Sequence, residues 1–422
     1  MKTKRCVCLL LAAAVLPLAS CAARPEPTTT ATTTQAPTAA PQSRDPVTLT
    51  KEDAQLVFEE KTISELSRIV GFFAEDYIIA GPYADEPEQF GTKFGYYDLK
   101  EKRLIEVGVL PGLTVGAGAA VTLRGSYYTW WSYGGGPYGQ NDFHNVFFRV
   151  NPARKELTVL REEREAFSPF VDMAKLNDDL CVMLFLRSEQ NKTFSKVELY
   201  NAATGETKTI IEQTYENAEE SQNSTGQLIE AISASNGQIY TLGRTKTGGI
   251  YEMHITAYDS EGEPQKTVSA PVVMDFIGTD NLQEFHMVGS YFTVRQYSTG
   301  APMLFKLEGN TVTSFPEVSG SGTYISKGSW SQAKCPYFYW LNAAGYEGVQ
   351  PEFMILDTRN GNIRSCKIAI DEAVPSISTG FNGGLQTNED GDLLLNVGRT
   401  LSDNEQVRIY WVKRQTIDRL LR

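Results

Sequence analysis

Histidine is scarce in this chain of 422 residues, which contains only three. His144, His254 and His286 lie far apart, none belongs to an HExxH motif, and none has a cysteine beside it. Such spacings do not match the common histidine zinc sites. The chain also lacks a glycine-rich phosphate loop and a dinucleotide fingerprint after a strand. The sequence therefore predicts neither a metal site nor a cofactor.

Cysteines and long apolar runs are also few. Two of the six cysteines, Cys6 and Cys8, lie in the N-terminal apolar segment, and the others form no CxxC pair. A redox motif or a cysteine zinc site is therefore not expected. Two interpretations stay open: a disulfide between Cys335 and Cys366 in an exported protein, or three small buried hydrophobic residues, Cys181, Cys335 and Cys366. No segment after residue 21 approaches the roughly 20 apolar residues of a membrane-spanning helix.

Basic residues are fewer than acidic residues in this chain. The chain has 39 Lys and Arg against 51 Asp and Glu, a net charge of −12. Because an acidic surface repels the phosphate backbone, no nucleic-acid partner is expected. Charged residues make up only 21% of the chain, whereas Tyr and Phe number 20 each. This aromatic content favours strands over helices.

The first 21 residues have the layout of an export signal. Three basic residues precede an apolar stretch, Val7 to Leu18, and Leu18-Ala19-Ser20-Cys21 follows at once. This layout predicts a secretory signal over residues 1–20. The last four residues resemble the lipobox of bacterial lipoproteins. That resemblance implies cleavage before Cys21, a lipid on its sulfur, and an extracytoplasmic protein attached to the cell membrane. An ordinary signal peptide or an uncleaved anchor is the alternative.

Residues 21–46 differ in composition from the rest of the chain. Threonine dominates positions 28–34, prolines recur up to Pro46, and from residue 22 onward the segment has no aromatic residue and no Leu, Ile or Val. Such a segment cannot bury enough apolar surface to offset its ordering entropy. The sequence predicts a disordered tether between the lipidated Cys21 and a folded body.

Two features recur seven times after residue 75. The first is a turn followed by an aromatic or aliphatic strand, beginning at residues 76, 126, 179, 238, 290, 336 and 392. The second lies about 20 residues later, where a strand ends in an acid or amide and turns, as at Asp98, Asn201, Asp259 and Asp357. The last copy, 409–412, has no acid. A third and a fourth strand are expected to flank each of these turns.

A repeat of about 50 residues with about four strands predicts an all-β fold, a seven-bladed β-propeller over residues 47–422. Six blades, eight blades or a β-sandwich array are the alternatives. From residue 60 onward the body resembles bacterial surface propellers as a broad class. A capping box at Thr50-Lys51-Glu52-Asp53 predicts a short helix. Residues 47–60 would supply the outer strand of the last blade or pack as a cap.

The stretch from residue 127 to residue 144 is the most distinctive candidate for ligand binding. Strand alternation puts Trp130 and Trp131 on opposite faces of a sheet, and packing between blades is the favoured interpretation of both. The glycine-rich loop that follows carries rings and polar groups, which suit a glycan or a peptide. The candidate ligand-binding residues are Tyr133, Tyr138, Asn141, Asp142 and His144, with Trp330 in the sixth unit.

Signs of catalysis are weak. Ser319-Gly320-Ser321-Gly322 is not a nucleophile elbow, because no helical pattern follows it. The acidic loop 388–392 lacks the calcium-loop spacing and is expected to be a hairpin turn. Acids on the inner strands remain as candidates for acid–base chemistry. They are Asp172, Glu230 and Glu284.

Taken together, these features predict a lipid-anchored cell-surface binding or scaffold protein. One rim of the propeller would be presented to an envelope protein, a peptide or a glycan. The alternative is an envelope carbohydrate-active enzyme, a glycoside hydrolase or lyase, that uses carboxylates at the mouth of the central channel.

Overall fold

The computed structural model describes residues 45–60, 73–83, 91–111, 113–116, 120–134, 143–165, 170–189, 192–216, 227–248, 250–271, 282–296, 302–315, 324–325, 327–328, 334–343, 351–370, 376–377, 385–398 and 407–422. All of them belong to one compact unit, residues 41–422. Their strands form seven separate sheets. The all-β, seven-bladed propeller predicted from the repeat is confirmed.

Two strands precede the first blade: β1 (Val47–Thr50) and β2 (Gln55–Glu60). Blade 1 has β3 (Phe73–Ala74), β4 (Tyr77–Tyr83), β5 (Gly91–Asp98) and β6 (Arg103–Pro111). Blade 2 has β7 (Leu113–Gly116), β8 (Ala120–Leu123), β9 (Ser126–Gly134), β10 (Phe143–Asn151) and β11 (Glu156–Glu165). Blade 3 has β12 (Phe170–Lys175), β13 (Leu180–Glu189), β14 (Lys192–Asn201) and β15 (Thr207–Glu216). Blade 4 has β16 (Leu228–Ser235), β17 (Gln238–Thr247), β18 (Ile250–Tyr258) and β19 (Pro264–Pro271).

Blade 5 has β20 (Leu282–Val288), β21 (Tyr291–Gln296), β22 (Pro302–Glu308) and β23 (Thr311–Phe315). Next come β24 (Tyr324–Ile325), which belongs to blade 6, and β25 (Lys327–Gly328), which pairs within blade 7. Blade 6 continues with β26 (Tyr337–Ala343), β27 (Glu352–Asp357) and β28 (Asn362–Ala369). Blade 7 has β29 (Ser376–Ile377), β30 (Leu385–Thr387), β31 (Leu393–Gly398) and β32 (Val407–Val412). Helix α1 (Arg414–Leu420) follows, which the sequence analysis did not predict.

Both recurring sequence features correspond to one strand in every blade. The first marks the second strand of each blade, from β4 in blade 1 to β31 in blade 7. The second marks the third strand, from β5 to β32. The turns that follow depend on the acid or amide, since the Asp98 Oδ1 accepts the backbone N–H groups of Lys100 at 2.9 Å and Glu101 at 2.8 Å. The same side-chain-to-backbone turn follows Asn201 and Asp259.

The buried apolar side chains of the described ranges form seven clusters, and each cluster lies between two successive blades. Between blades 4 and 5, for example, Leu242 packs in one cluster with Phe285 and Phe292. Ring closure is visible where Trp411 of blade 7 and Ile78 of blade 1 share a cluster. A single sheet cannot cover both of its faces, so each blade is stabilised by burying apolar surface against two neighbours.

The segment 47–60 closes the ring on two blades. Strand β2 pairs antiparallel with β32 and is the outer strand of blade 7, as one of the two interpretations predicted. Strand β1 pairs in parallel with β28 of blade 6. The predicted helix between them is one 3-10 turn, Lys51–Asp53, and its capping box is confirmed. The Thr50 N–H donates to Asp53 Oδ2 at 2.8 Å.

The three described cysteines are buried thiols. Cys181, Cys335 and Cys366 form no disulfide. Burial raises the pKa of the Cys335 and Cys366 thiols to about 12. The structure therefore agrees with the second interpretation, and Cys335 and Cys366 are small hydrophobic residues in the core between blades 6 and 7. No helix in the described ranges has the length and apolarity that crossing a membrane requires.

Candidate functional site

The turns between the first and second strands of the blades, here called the inner turns, converge around the propeller axis. The first strands of successive blades contact one another, for example β12 with β16 and β16 with β20, so they form the inner edge of the ring. A cavity of about 620 Å³, here called the mouth pocket, opens among the inner turns. Its lining residues are Glu75, Asp76, Lys100, Thr122, Arg124, Gly125, Lys175, Asp178, Asp179, Lys334, Glu389, Asp390, Asp392, Trp411 and Lys413.

Five blades contribute to the mouth pocket, and their side chains bring both signs of charge. Seven carboxylates and five basic groups line it. Each of the five basic groups has an acidic partner in the protein. Arg124 Nε of blade 2, for example, lies 3.0 Å from Asp179 Oδ1 of blade 3.

One ion-pair network crosses the mouth pocket. The Nζ of Lys175, at the end of β12 in blade 3, lies 2.6 Å from Glu389 Oε2 in the inner turn of blade 7. Lys334 of blade 6 approaches the other oxygen, Glu389 Oε1, at 3.4 Å. Asp178 pairs with Lys175 at 2.8 Å. Attraction by Glu389 raises the pKa of Lys334, and the hydrogen bond from Lys175 lowers the pKa of Asp178.

The carboxylate of Asp392, in the same inner turn as Glu389, accepts three hydrogen bonds at the pocket. Its Oδ2 accepts the indole N–H of Trp411 at 3.0 Å and the ammonium of Lys413 at 2.8 Å. Its Oδ1 accepts the backbone N–H of Arg414 at 2.9 Å. The Lys413 ammonium also lies 3.3 Å from the centre of the Trp411 ring. The ammonium of Lys413 therefore covers one face of the Trp411 ring.

Glu75 is an acid of the pocket whose pKa is raised. It stands at an inner turn with a left-handed backbone, φ 47°, a conformation that is costly for a non-glycine residue and often marks functional positions. The side-chain amide of Asn388 donates to its carbonyl oxygen at 2.8 Å, which joins blades 7 and 1. Loss of hydration raises the pKa of the Glu75 carboxyl, and the charges of Asp76 and Glu389 add to this effect.

The acidic loop 388–392 is an inner turn, in agreement with the expectation of a hairpin. Glu389 and Asp392 have lysine partners within the protein. Among the described residues, no three His, Cys, Asp or Glu side chains are grouped as metal ligands.

Only two of the six predicted ligand-binding residues lie in the described ranges. Tyr133 and His144 lie opposite each other in the β9–β10 register, and their side chains are outside the description. The other four predicted residues lie outside the described residues: Tyr138, Asn141, Asp142 and Trp330. The packing interpretation of the tryptophans is confirmed, since Trp130 is buried against blade 3 and Trp131 packs against the cluster shared with blade 1.

Of the predicted catalytic acids, the two whose side chains are described, Asp172 and Glu230, do not line the mouth pocket. Asp172 is buried in β12, where its Oδ1 accepts its neighbour's backbone N–H at 2.9 Å. Glu230 is buried in β16, with Oε1 3.1 Å from a guanidinium nitrogen of Arg244. Glu284 belongs to β20, and its side chain is outside the description.

The residues that form the mouth pocket are not among those predicted from the sequence. Their common property is position, since most of them flank or lie within the first-to-second strand turn of a blade. The repeat located those turns, and the charges in them could have been compared between units. Asp76, Asp179 and Asp392 each begin a copy of the first recurring feature. The ion pair between Lys175 of blade 3 and Glu389 of blade 7 cannot be predicted from the sequence around either residue.

Comparison with known proteins yields fold similarity alone. No protein-family model and no curated protein sequence matches the chain. The polysaccharide lyase Uly1 is 10% identical with a TM-score of 0.49, over 88% of this chain and 99% of that one. The β-propeller domain of the Trilobed protease from Pyrococcus furiosus is 12% identical with a TM-score of 0.40, over 70% of this chain and 80% of that one. A prolyl endopeptidase is 10% identical with a TM-score of 0.45 over 81% of this chain, which spans only 46% of the endopeptidase. Structural similarity at this level of sequence identity does not indicate which ligand or reaction this chain has.

Proposed function

We propose that this chain is a lipid-anchored extracytoplasmic binding protein whose mouth pocket takes a charged peptide of the cell envelope. The observation that carries the proposal is the pocket itself, about 620 Å³ in volume and lined from five blades by acids and bases. The extracytoplasmic address and the membrane anchor rest on the sequence from Leu18 to Cys21.

A peptide suits the pocket better than a glycan. Glycan sites commonly offer an open aromatic face, because a flat ring supplies apolar area with little entropy to lose. The described lining has one ring, that of Trp411, and the ammonium of Lys413 lies over it. The remaining lining is almost entirely charged, which matches the ammonium and carboxylate groups of a peptide.

Calorimetry on the mature chain, residues 21–422 with Cys21→Ser to keep it soluble, tests the proposal. Soluble cell-wall peptides should bind and neutral cell-wall oligosaccharides should not. Arg124→Gln should weaken peptide binding by about fivefold, since rim charges contribute on the order of 1 kcal/mol. Lys192→Gln is the matched control, because its pair with Glu216 lies on blade 3 outside the pocket lining. Binding of oligosaccharides without peptides would reject the proposal.

An envelope carbohydrate-active enzyme is the second candidate, and Glu75 is the observation that favours it. A carboxyl with a raised pKa beside other carboxylates in a cavity is the arrangement that general-acid catalysis uses. The test is glycan cleavage by the wild-type chain and by Glu75→Gln. Cleavage that falls at least about a hundredfold in the variant would favour the enzyme. An equal rate in both would remove Glu75 from consideration.

A further inference from the structure

Two lysines from different blades converge on one carboxylate in the mouth pocket. Lys175 Nζ lies 2.6 Å from Glu389 Oε2. Lys334 Nζ lies 3.4 Å from Glu389 Oε1. Each oxygen of the carboxylate thus faces its own ammonium, with blades 3 and 6 supplying the cations and blade 7 the anion. This arrangement resembles the way a protein binds the carboxylate of a ligand.

Lys175 requires an anion beside it, and Lys334 approaches the same anion from the solvent side with a side chain that is 57% exposed. The side chain of Lys175 is only 5% exposed, and a buried ammonium is costly unless it is paired. Its other acidic partner, Asp178, is 74% exposed and can contribute only a screened interaction. The position between Lys175 and Lys334 is therefore a binding position for an anion, and Glu389 fills it from within the chain.

Glu389 can leave this position without unfolding the turn that carries it. The turn is fixed by Asn388, whose Oδ1 accepts the N–H of Asp392 at 2.8 Å and whose amide donates to the Glu75 carbonyl at 2.8 Å. None of these bonds involves the Glu389 side chain. Rotation about its side-chain torsions would free both lysines while the backbone stays in place.

We infer that Lys175 and Lys334 form a carboxylate subsite, that Glu389 occupies it in the unliganded protein, and that the free C-terminal carboxylate of a bound peptide takes its place. This inference rests on the proposed function, because it assigns one end of the peptide to one part of the pocket. Binding exchanges one carboxylate for another, so the buried ammonium of Lys175 remains paired throughout.

The remaining charges restrict the ligand further. Asp76 and Asp390 line the same cavity, and acids outnumber bases in the lining. A ligand that brought only negative charge would be repelled by them. A peptide that carries an ammonium as well as its terminal carboxylate avoids this repulsion. The subsite therefore selects short peptides with a free C-terminus and a basic side chain.

The test uses acetyl-Lys-Ala-Ala with a free carboxylate and the same peptide as its C-terminal amide. Affinities are measured by calorimetry on the mature chain with Cys21→Ser. We expect the acid to bind about tenfold more tightly than the amide, because a hydrogen bond to a charged group contributes about 1.5 kcal/mol or more. Glu389→Gln should tighten binding of the acid about tenfold, since a neutral amide competes less for the lysines. Lys334→Gln should weaken it about fivefold, because the side chain is 57% exposed and its interaction is screened, and Lys192→Gln should leave it unchanged.

The outcomes separate this inference from the proposed function. Equal affinities for the acid and the amide would overturn the carboxylate subsite and leave peptide binding intact. If neither the acid nor the amide bound to the wild type or to Glu389→Gln, the carboxylate subsite and the proposed peptide binding would both be overturned. If Glu389→Gln failed to fold, the comparison of acid with amide on the wild type, and the effect of Lys334→Gln at an exposed position, would still decide the question.

Discussion

Arg408 Nε donates to Glu59 Oε1 at 2.9 Å and so joins residues 349 positions apart in the chain. The bond lies where β2 completes blade 7, the point at which the ring closes. Immediately before β2, β1 adds to the outer edge of blade 6. The N-terminal segment therefore ties two neighbouring blades together, and helix α1 packs on the same region through Ile417. Closure by a short segment concentrates stability in a few residues.

Leu49→Ala tests this closure. Leu49 is fully buried in β1, opposite Ile368 of β28, in the cluster between blades 6 and 7. Truncating a buried leucine leaves a cavity and typically costs about 2–5 kcal/mol of unfolding free energy. We expect a loss in this range by urea denaturation followed by circular dichroism.

The matched control for Leu49→Ala is Val109→Ala, because Val109 is 52% exposed on β6. It should change the unfolding free energy by less than about 0.5 kcal/mol. Similar losses in the two variants would mean that β1 is not part of the cooperative unit.

The repeated part of the fold could be predicted because its determinants are local. Each second strand has an aromatic or aliphatic run after a turn, and most third strands end in an acid or amide that bonds the following backbone, as Asp98 does. Two such features with one period identify the sheets and their number. Alternation within β9 likewise predicted that Trp130 and Trp131 pack in different clusters.

The parts that could not be predicted depend on contacts between distant residues. Strand β1 pairs with β28 of blade 6, which is distant in the chain. The residues 47–50 contain no pattern that predicts this partner. Helix α1 has seven residues and one buried side chain, Ile417, so its apolar period is too short to recognise. The Lys175–Glu389 pair spans 214 positions. The sequence therefore placed its ligand candidates on an aromatic loop instead of on the inner turns.

Trp130 offers a test of packing against ligand binding. Its ring is buried and stacks on Phe147 at a centroid distance of 5.3 Å, and its indole N–H points to Met183 Sδ at 3.2 Å. Trp130→Ala should lower the unfolding free energy by about 3–5 kcal/mol. Trp130→Phe should cost less and leave the affinity for acetyl-Lys-Ala-Ala unchanged. A stable Trp130→Phe variant with lost affinity would show that this ring contacts the ligand.

Gly391 in the inner turn of blade 7 should not accept a side chain. Its φ is +84°, and a Cβ there would lie 2.8 Å from Cys335 Sγ and 3.1 Å from Arg414 Cδ. Gly391→Ala therefore combines backbone strain with overlap, and we expect a loss of more than about 2 kcal/mol in chemical denaturation.

Gly205→Ala separates the two causes. Gly205 has a similar φ of +76°, and nothing lies within 4 Å of the position of an added Cβ. This variant should lose only the cost of the left-handed backbone, about 1 kcal/mol. Equal losses for Gly205→Ala and Gly391→Ala would mean that the contact with Cys335 relaxes freely and that only the backbone matters.

Glu75→Gln should stabilise the protein at neutral pH. Folding raises the pKa of this carboxyl above its ordinary value of 4.5, through lost hydration and through the charges of Asp76 and Glu389. Above the raised pKa the ionised carboxylate is less favourable in the folded chain than in the unfolded chain, so wild-type stability is lost as the pH rises through that value. Glutamine removes this cost. Thermal denaturation at pH 7.5 should therefore give a higher Tm for the variant than for the wild type.

The gain from Glu75→Gln should disappear as the pH falls below the ordinary value of 4.5, because the wild-type carboxyl is then protonated in both states. Glu156→Gln, which removes an exposed charge on β11, is the control and should show no such dependence. A Glu75→Gln variant that is less stable than the wild type at pH 7.5 would contradict the predicted stabilisation. In that case the ionised Glu75 would stabilise the inner turns, and the favourable charge acting on it would be that of Lys175.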